Sequence, residues 1–338
     1  MSLLEYLTNK SPVQGYVSGN EACYADSFVS ALVTAFCLTQ STGRLYVPIA
    51  QCTREDFTAL KREISALLEI CNFPIQPVLE RFLFLEDFSW SEISPLVLTD
   101  HNEPSDPAVK FSSVELAIDH HEVISDLPYP HVIERVGSCC TLVAREFWKF
   151  LDLSAQRLLL AVILLDTNNL KEKTKTADLE ISAQLKKITQ ISDHTCQEIS
   201  DKLLAVRRDK NFWKSLAPKF LLKVDLKNFR TFAAATVRLG LREISDQIEL
   251  AMSDLGRELD VKVVLLLTAH AGGRELTAWT ATPEISAHLD QGIRTSGLQV
   301  EQLPSYGNLK SWSHAGDATR KQVAPIVARC LSQISHLL

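Results

Sequence analysis

The sequence predicts an α/β protein of two domains, the first built on a mostly parallel sheet with helices on both faces. Three observations carry that expectation. The 338 residues are too many for one ordinary core and about right for two. In the first half, short apolar runs alternate with helical patterns at the spacing of strand–helix–strand units. Midway the chain turns polar and lysine-rich, and then a second set of short apolar runs begins.

Residues 16–18 read as a short first strand, whose neighbours Pro12 and Gly15 suggest a frayed edge. Residues 45–49 read as the next. Residues 57–70 place Leu60, Ile64, Leu67 and Leu68 on one face of an amphipathic helix. Segments 82–85, 96–98 and 116–118 read as buried strands, short and rich in leucine or β-branched residues. Gly137 and Ser138 precede a helix over 139–150. The wholly apolar run 158–165, closed by Asp166, reads as one more strand. Residues 171–225 carry helical patterns and no convincing strand. Strands follow at 232–238, 261–267 and 275–280, with a helix over 243–259 between the first two. These readings set a first domain over 1–195, a helical connector over 196–222 and a smaller α/β domain over 223–338.

Lys and Arg number 35 against 41 Asp and Glu, a net charge of −6. Bulk charge therefore excludes a nucleic-acid binder, and any polyanion site must be a local basic patch. Hydrophobic residues make up 46% and charged residues 22%, the balance of a compact chain. The apolar runs are far shorter than the roughly 20 residues of a membrane span, and the first residues show no secretory pattern. The eight cysteines contain no CxxC pair, which suits reduced thiols in the cytoplasm.

Asp26, Asp100, Asp119 and Asp166 each follow an apolar, strand-like run. Three of the nine histidines, His101, His120 and His121, stand directly behind two of them. A lone Asp after a strand is usually a turn or cap residue. Four together differ, because ligands of an open α/β sheet sit beyond the carboxyl ends of its strands. Carboxylate mixed with imidazole suits Mn²⁺, Mg²⁺ or Co²⁺, and such ions can clamp a phosphoryl group.

The segments GNEACYADS (19–27), TDHN (99–102), IDHH (118–121), GSCCTL (137–142) and LLDTNN (164–169) resemble the DHH phosphoesterase superfamily, in its exopolyphosphatase and Prune branch. VDLKNF (224–229) and ATRKQVAP (318–325) resemble that branch's C-terminal DHH-associated domain. The resemblance implies an active site in the cleft between the domains, holding two divalent ions, Mn²⁺ or Mg²⁺. It implies Asp26, Asp100 and Asp166 as metal ligands, with His101, His120 and His121 ligating metal or holding phosphate. Asn20 stands where related pyrophosphatases place a metal-binding histidine. Arg320 and Lys321 match the basic motif that meets phosphate, and Arg274, after a glycine turn, is a further candidate.

One position departs from the family pattern: Tyr24 stands in place of an aspartate. A neutral phenol is a poor ligand for hard divalent ions. This points to weakened activity, to a single ion instead of two, or to a Prune-like protein that acts by binding protein partners. Restoring Asp at position 24 is the corresponding route to greater activity. The leading expectation remains a hydrolase that cleaves phosphoanhydride bonds of short-chain polyphosphate with water activated at the metal. Pyrophosphate ranks second and cyclic nucleotides third. The chain is expected to be a monomer or weak dimer, with no nucleic-acid or membrane partner.

Overall fold

Five strands form the sheet of the first unit: β1 (Val13–Ser18), β2 (Leu45–Ile49), β3 (Leu96–Thr99), β4 (Val114–Asp119) and β5 (His131–Ile133). They lie in the order β2-β1-β3-β4-β5, and every pairing is parallel. β1 is therefore an interior strand and not a frayed edge. Gly15 serves packing there, since a Cβ would come within 2.4 Å of the Tyr46 ring on β2. The computed structural model describes all residues except 105, 107–108, 124–125, 230, 245–246, 271–272, 305–307, 315–318 and 335–338, and gives residues 111, 270, 314 and 321 by backbone alone. The chain divides into two compact units, Met1–Arg208 and Asp209–Leu338. The expected α/β class holds in both.

The helices of the first unit are α1 (Leu3–Leu7), α2 (Ala25–Thr42), α3 (Arg54–Leu60), α4 (Arg62–Ile70), α5 (Ile75–Arg81), α6 (Cys139–Glu146), α7 (Leu153–Asp166), α8 (Thr176–Thr189) and α9 (Asp193–Arg207). α2 ends on Gly43, whose φ of 72° is open to glycine at no steric cost. α7 starts on Asp152, whose carboxylate accepts from the Ala155 N–H at 2.8 Å. Its apolar run is a helix and not the expected strand. Residues 158–165 are all at most 1% exposed, because α7 packs against α4, α6, α8 and α9 as well as α2. A helix buried all round loses its periodicity and reads like a buried strand. Each fully buried Leu or Ile there contributes about 1.5–3 kcal/mol. On the sheet's opposite face, Ile93, Val109 and Tyr129 cover Leu96, Leu98 and Ala117.

Other expectations shift locally. Residues 82–85 form no strand; Leu83 makes a single bridge to Ile49, and a 3₁₀ turn follows over Leu85–Asp87. The helix expected over 57–70 breaks at Lys61, whose backbone leaves the helical region while its ammonium donates to the Ala22 carbonyl at 2.5 Å. The helix from Cys139 stops at Glu146, and a 3₁₀ turn covers Trp148–Phe150.

The second unit carries α10 (Lys210–Ser215), α11 (Pro218–Lys223), β6 (Leu226–Asn228), β7 (Ala233–Val237), α12 (Ile248–Glu258), β8 (Val263–His270), β9 (Gly273–Thr280), α13 (Pro283–Thr295), β10 (Val300–Gln302), β11 (Lys310–His314) and α14 (Arg320–Ser332). α12 begins five residues later than the sequence pattern suggests, after a 3₁₀ turn at Leu241–Glu243. The sheet order is β10-β11-β9-β8-β7-β6, with only β7–β8 parallel. One face packs Trp312 and Leu265 against α13 and α14, and the other packs Val264 and Leu266 against α11 and α12. No helix among the described residues is long and apolar enough to cross a membrane.

Candidate metal centre

Where β1, β3 and β4 end, the chain delivers its polar side chains to one place. Asn20 follows β1, Asp100 and His101 follow β3, and Asp119 closes β4 with His120 and His121 directly after it. Two further carboxylates come from helices: Asp26 from the first turn of α2, and Asp166 as the last residue of α7. Asp166 therefore arrives from a helix C-terminus and not from a strand end.

The three histidines share one arrangement. The Nδ1 atom of His101 lies 2.9 Å from the Thr99 carbonyl, and that of His120 lies 3.0 Å from the Val136 carbonyl. The Nδ1 of His121 lies 2.8 Å from Asp119 Oδ1. Carbonyl and carboxylate oxygens only accept, so the proton of each neutral ring sits on Nδ1 and the Nε2 lone pair is free. This tautomer, fixed by a second bond on the far side of the ring, is the one in which imidazole ligates metal. His101 Nε2 is buried without a hydrogen-bond partner. His120 Nε2 points at Asp100 Oδ1 across 3.1 Å.

The carboxylates are held just as firmly. Asp100 adopts a left-handed backbone, φ 62°, which is costly for a residue with a Cβ. Its Oδ2 accepts from Asn20 Nδ2 at 2.8 Å, and its own carbonyl accepts from the same amide at 3.1 Å. Asn20 thus orients Asp100. Asp119 is fully buried; its Oδ2 accepts from Asn102 Nδ2 at 2.6 Å and its Oδ1 from the His120 N–H at 2.7 Å. Asp26 Oδ2 accepts from the Cys139 N–H at 2.7 Å, and Oδ1 from the Cys140 N–H at 2.9 Å and the Ser138 hydroxyl at 2.8 Å. These donors form the start of α6, the positive end of its dipole. The turn leading there is shaped by Gly137, where a Cβ would meet Thr167 Cγ2 at 2.5 Å. The buried carboxylate of Asp178 fixes that turn, accepting from the Gly137 N–H at 2.8 Å and from the Thr141 hydroxyl at 2.6 Å.

Burial and the neighbouring Asp26 charge push the Asp100 carboxyl up to about 6, against the pull of His120. Burial, then Asp26, push Asp166 up to about 8, although Arg207 pulls the other way. Burial disfavours the His120 imidazolium, but its bond to Asp100 and the charges of Asp26 and Asp100 outweigh that and raise it to about 10. Burial likewise works against the Asp119 carboxylate, yet the His121 bond and charge hold it below its ordinary value. A crowd of buried carboxylates is short of positive charge.

The donor set fits a divalent cation. His101 Nε2 and Asp166 Oδ2 are buried without hydrogen-bond partners, and Asp100 Oδ1 meets only the imidazole nitrogens of His120 and His121. Ligand atoms of Asp100, Asp119, His120 and His121 lie within 4.8 Å of one another. Oxygen atoms with one or two imidazoles are the set that Mn²⁺ and Mg²⁺ accept. Asp100, Asp119, His120 and His121 thus stand together, with Asp26 Oδ2 3.8 Å from His120 Nε2 and close enough for its charge to be felt at Asp166.

The basic residues belong to the second unit. Arg274 and Arg320 line a cavity of about 420 Å³ with Asp225, Thr236, Thr268 and Glu275. Arg320 donates to Asp225 Oδ1 at 3.0 Å and to the Asp225 carbonyl at 2.8 Å. The Lys321 side chain and residue 318 of the basic motif lie outside the described residues.

Three contributors lacked a role in the sequence reading. Asp119 carries the strand-end signal but was not counted among the ligands. Glu63 and Arg207 carry no local signal. They meet across 144 residues, with Arg207 Nε donating to Glu63 Oε2 at 2.7 Å. Glu63 Oε1 also accepts from the Ala25 N–H at 3.1 Å, capping α2 where Tyr24 makes no cap bond. The Tyr24 ring instead lies under the Lys61 ammonium, 4.9 Å from ring centre to Nζ.

No protein-family model matches the chain. It is 28% identical over 371 residues to a Schizosaccharomyces pombe protein provisionally named an exopolyphosphatase, covering 97% of this chain and 93% of that one. It is 32% identical over 182 residues to Exopolyphosphatase PRUNE1 of Bos taurus and 32% over 189 residues to that of Homo sapiens. Those alignments cover 51% of this chain and 40% of the two PRUNE1 proteins, less than half of their length. A crystal structure from Methanococcus jannaschii, provisionally described as a family II inorganic pyrophosphatase, superposes with a TM-score of 0.59 at 18% identity. It covers 94% of this chain and 99% of that one, a likeness of fold.

Proposed function

We propose that this chain, which resembles the exopolyphosphatase and Prune branch of the DHH phosphoesterase superfamily in sequence and in fold, is a metal-dependent phosphohydrolase that cleaves phosphoanhydride bonds. Short-chain inorganic polyphosphate is its first substrate, with release of orthophosphate, and pyrophosphate its second. One observation carries the reading: buried His101 Nε2 and Asp166 Oδ2 have no partner within the protein, and buried Asp100 Oδ1 faces only the His120 and His121 rings. Leaving such atoms unpaired costs about 1–3 kcal/mol each, more for charged groups, so they call for a cation.

Asp26, Asp100, Asp166 and the Nε2 atoms of His101 and His120 would hold the ion. When bound, Mn²⁺ or Mg²⁺ polarises a phosphoryl oxygen and acidifies water near neutral pH. Asn20 keeps Asp100 in its orientation. His121 is the half-exposed ring of the group, its side chain 56% exposed, and Asp119 holds its Nδ1–H. Its Nε2 can take or return a proton at the reacting phosphate. Arg274, Arg320 and Lys321 are assigned to substrate phosphates within a substrate-binding domain over 223–338, joined by the connector 196–222 to the metal-binding domain over 1–195. A cytoplasmic setting fits the free thiols.

A second reading has one observation in its favour. Tyr24 sits beneath Lys61 where the family pattern has a carboxylate, which suits a weakened, Prune-like protein acting through protein partners.

Orthophosphate release from tripolyphosphate and pyrophosphate, and conversion of a cyclic nucleotide to its nucleoside monophosphate, each with and without Mn²⁺, test the proposal. Mn²⁺-dependent turnover fastest on tripolyphosphate is expected. Absence of turnover on all three by folded, Mn²⁺-loaded protein would leave the partner-binding reading.

A further inference from the structure

We infer that the Arg207 guanidinium occupies a cation position of the metal centre, so that the site takes one divalent ion and not two. The inference rests on reading this cluster as a metal centre. Arg207 ends α9 and reaches two carboxylates on two other helices. Its Nε and Nη2 donate to the two oxygens of Glu63, at 2.7 and 3.2 Å. Its Nη1 donates to Asp166 Oδ1 at 3.1 Å. This is the forked geometry in which arginine bridges carboxylates.

The bridge changes what Glu63 and Asp166 can offer. Of their four carboxylate oxygens, three face the guanidinium, and only Asp166 Oδ2 is left without a partner. Mg²⁺ takes six ligands, one or two of them carboxylates and several of them water. Around Arg207 that carboxylate supply is spent. A second fixed cation stands nearby on the chain that leads into Asp26: Lys61 Nζ, bonded to the Ala22 carbonyl and set over the Tyr24 ring. An added dication would meet a phenol there and not a carboxylate. Placing +2 beside a guanidinium with little water between them is costly. Arg207 thus acts as a positioning residue: it holds one oxygen of Asp166, leaves the other for the single ion, and keeps Glu63 on the start of α2.

Counting Mn²⁺ on the full chain tests this. The chelator-stripped protein is titrated with Mn²⁺ alone by calorimetry, and free Mn²⁺ is counted by electron paramagnetic resonance. Wild type should bind one ion per chain. Arg207→Ala frees Glu63 and Asp166 together and should bind two, whereas Arg207→Lys, which keeps the charge, should stay at one. Two ions on the wild type would overturn the inference whether or not any variant folds, and would leave the hydrolase reading standing. One ion on a folded Arg207→Ala chain would overturn it as well. No Mn²⁺ on the wild type would refute the metal centre itself.

Discussion

His120 Nε2 and Asp100 Oδ1 face each other across 3.1 Å, and when the ring is neutral both atoms are acceptors. The His120 Nδ1 proton is committed to the Val136 carbonyl, so something positive must lie between the two, a proton or a metal ion. Without metal a shared proton fills that role, which explains why His120 rises to about 10. On the proposed reading, both atoms become ligands when metal binds. The first prediction follows. Asp100→Ala should abolish tight Mn²⁺ binding, and Asn20→Ala, which removes only the group orienting Asp100, should weaken it about 10–100-fold. Calorimetric Mn²⁺ titrations of both variants check this, and equal losses would contradict it.

Proton and metal also compete through stability. The folded-state pKa values of Asp100 and Asp166 are raised to about 6 and about 8, and that of His120 to about 10. A raised folded-state value contributes stability that is complete below the unfolded pKa and lost as pH rises through the folded one. All three groups share this sign. Metal-free protein should therefore lose thermal stability from about pH 4 to about pH 10, and saturating Mn²⁺ should flatten the slope. Tm measured across this range with and without Mn²⁺ is the check. A metal-free Tm that rises with pH would contradict it.

Asp178 lies outside the ligand set yet shapes it. Its carboxylate holds the Gly137 N–H and the Thr141 hydroxyl at the turn that presents Ser138, Cys139 and Cys140 to Asp26. Asp178→Ala leaves those buried donors unpaired and should cost on the order of 3 kcal/mol in urea unfolding. A loss below about 1 kcal/mol would show that water replaces it.

Lys61 alters the outlook for Tyr24. An aspartate at position 24 would lie beside the ammonium now over the ring and pair with it. Tyr24→Asp alone should therefore leave the Mn²⁺ count at one and kcat/KM on tripolyphosphate within about twofold, well short of the tenfold that about 1.4 kcal/mol would give. A second ion with a tenfold gain would contradict this and revive the missing-ligand view.

Arg320 has a double burden. Its bonds to Asp225 and to the Ala234 carbonyl tie β6 and β7 to α14 within the second unit. Arg320→Ala should lower stability by about 1.5–3 kcal/mol in addition to raising KM. Unchanged urea unfolding would show that the clamp contributes nothing.

The parallel sheet was legible because β2, β3 and β4 are short apolar runs, and β3 and β4 lead straight into Asp100 and Asp119. Asp100, His101 and Asp119 to His121 could be read for the same reason. Asp166 was read as a site residue but on the wrong element, since a helix buried all round, as α7 is, shows no polar face. The break at Lys61 was hidden because 57–70 keeps its amphipathic spacing across a bond that only tertiary contact with Ala22 explains. Glu63 and Arg207 were invisible: each looks like a helix-surface charge, and only the fold brings α4, α7 and α9 together.

The central claim, a phosphoanhydride hydrolase driven by a metal held at Asp100, is tested most directly by orthophosphate release from tripolyphosphate over a Mn²⁺ titration of the chelator-stripped protein, with Asp100→Ala in parallel. The account predicts release that rises with Mn²⁺, saturates, and is absent from the folded Asp100→Ala chain. Release that ignores Mn²⁺, or persists undiminished in that variant, would contradict it.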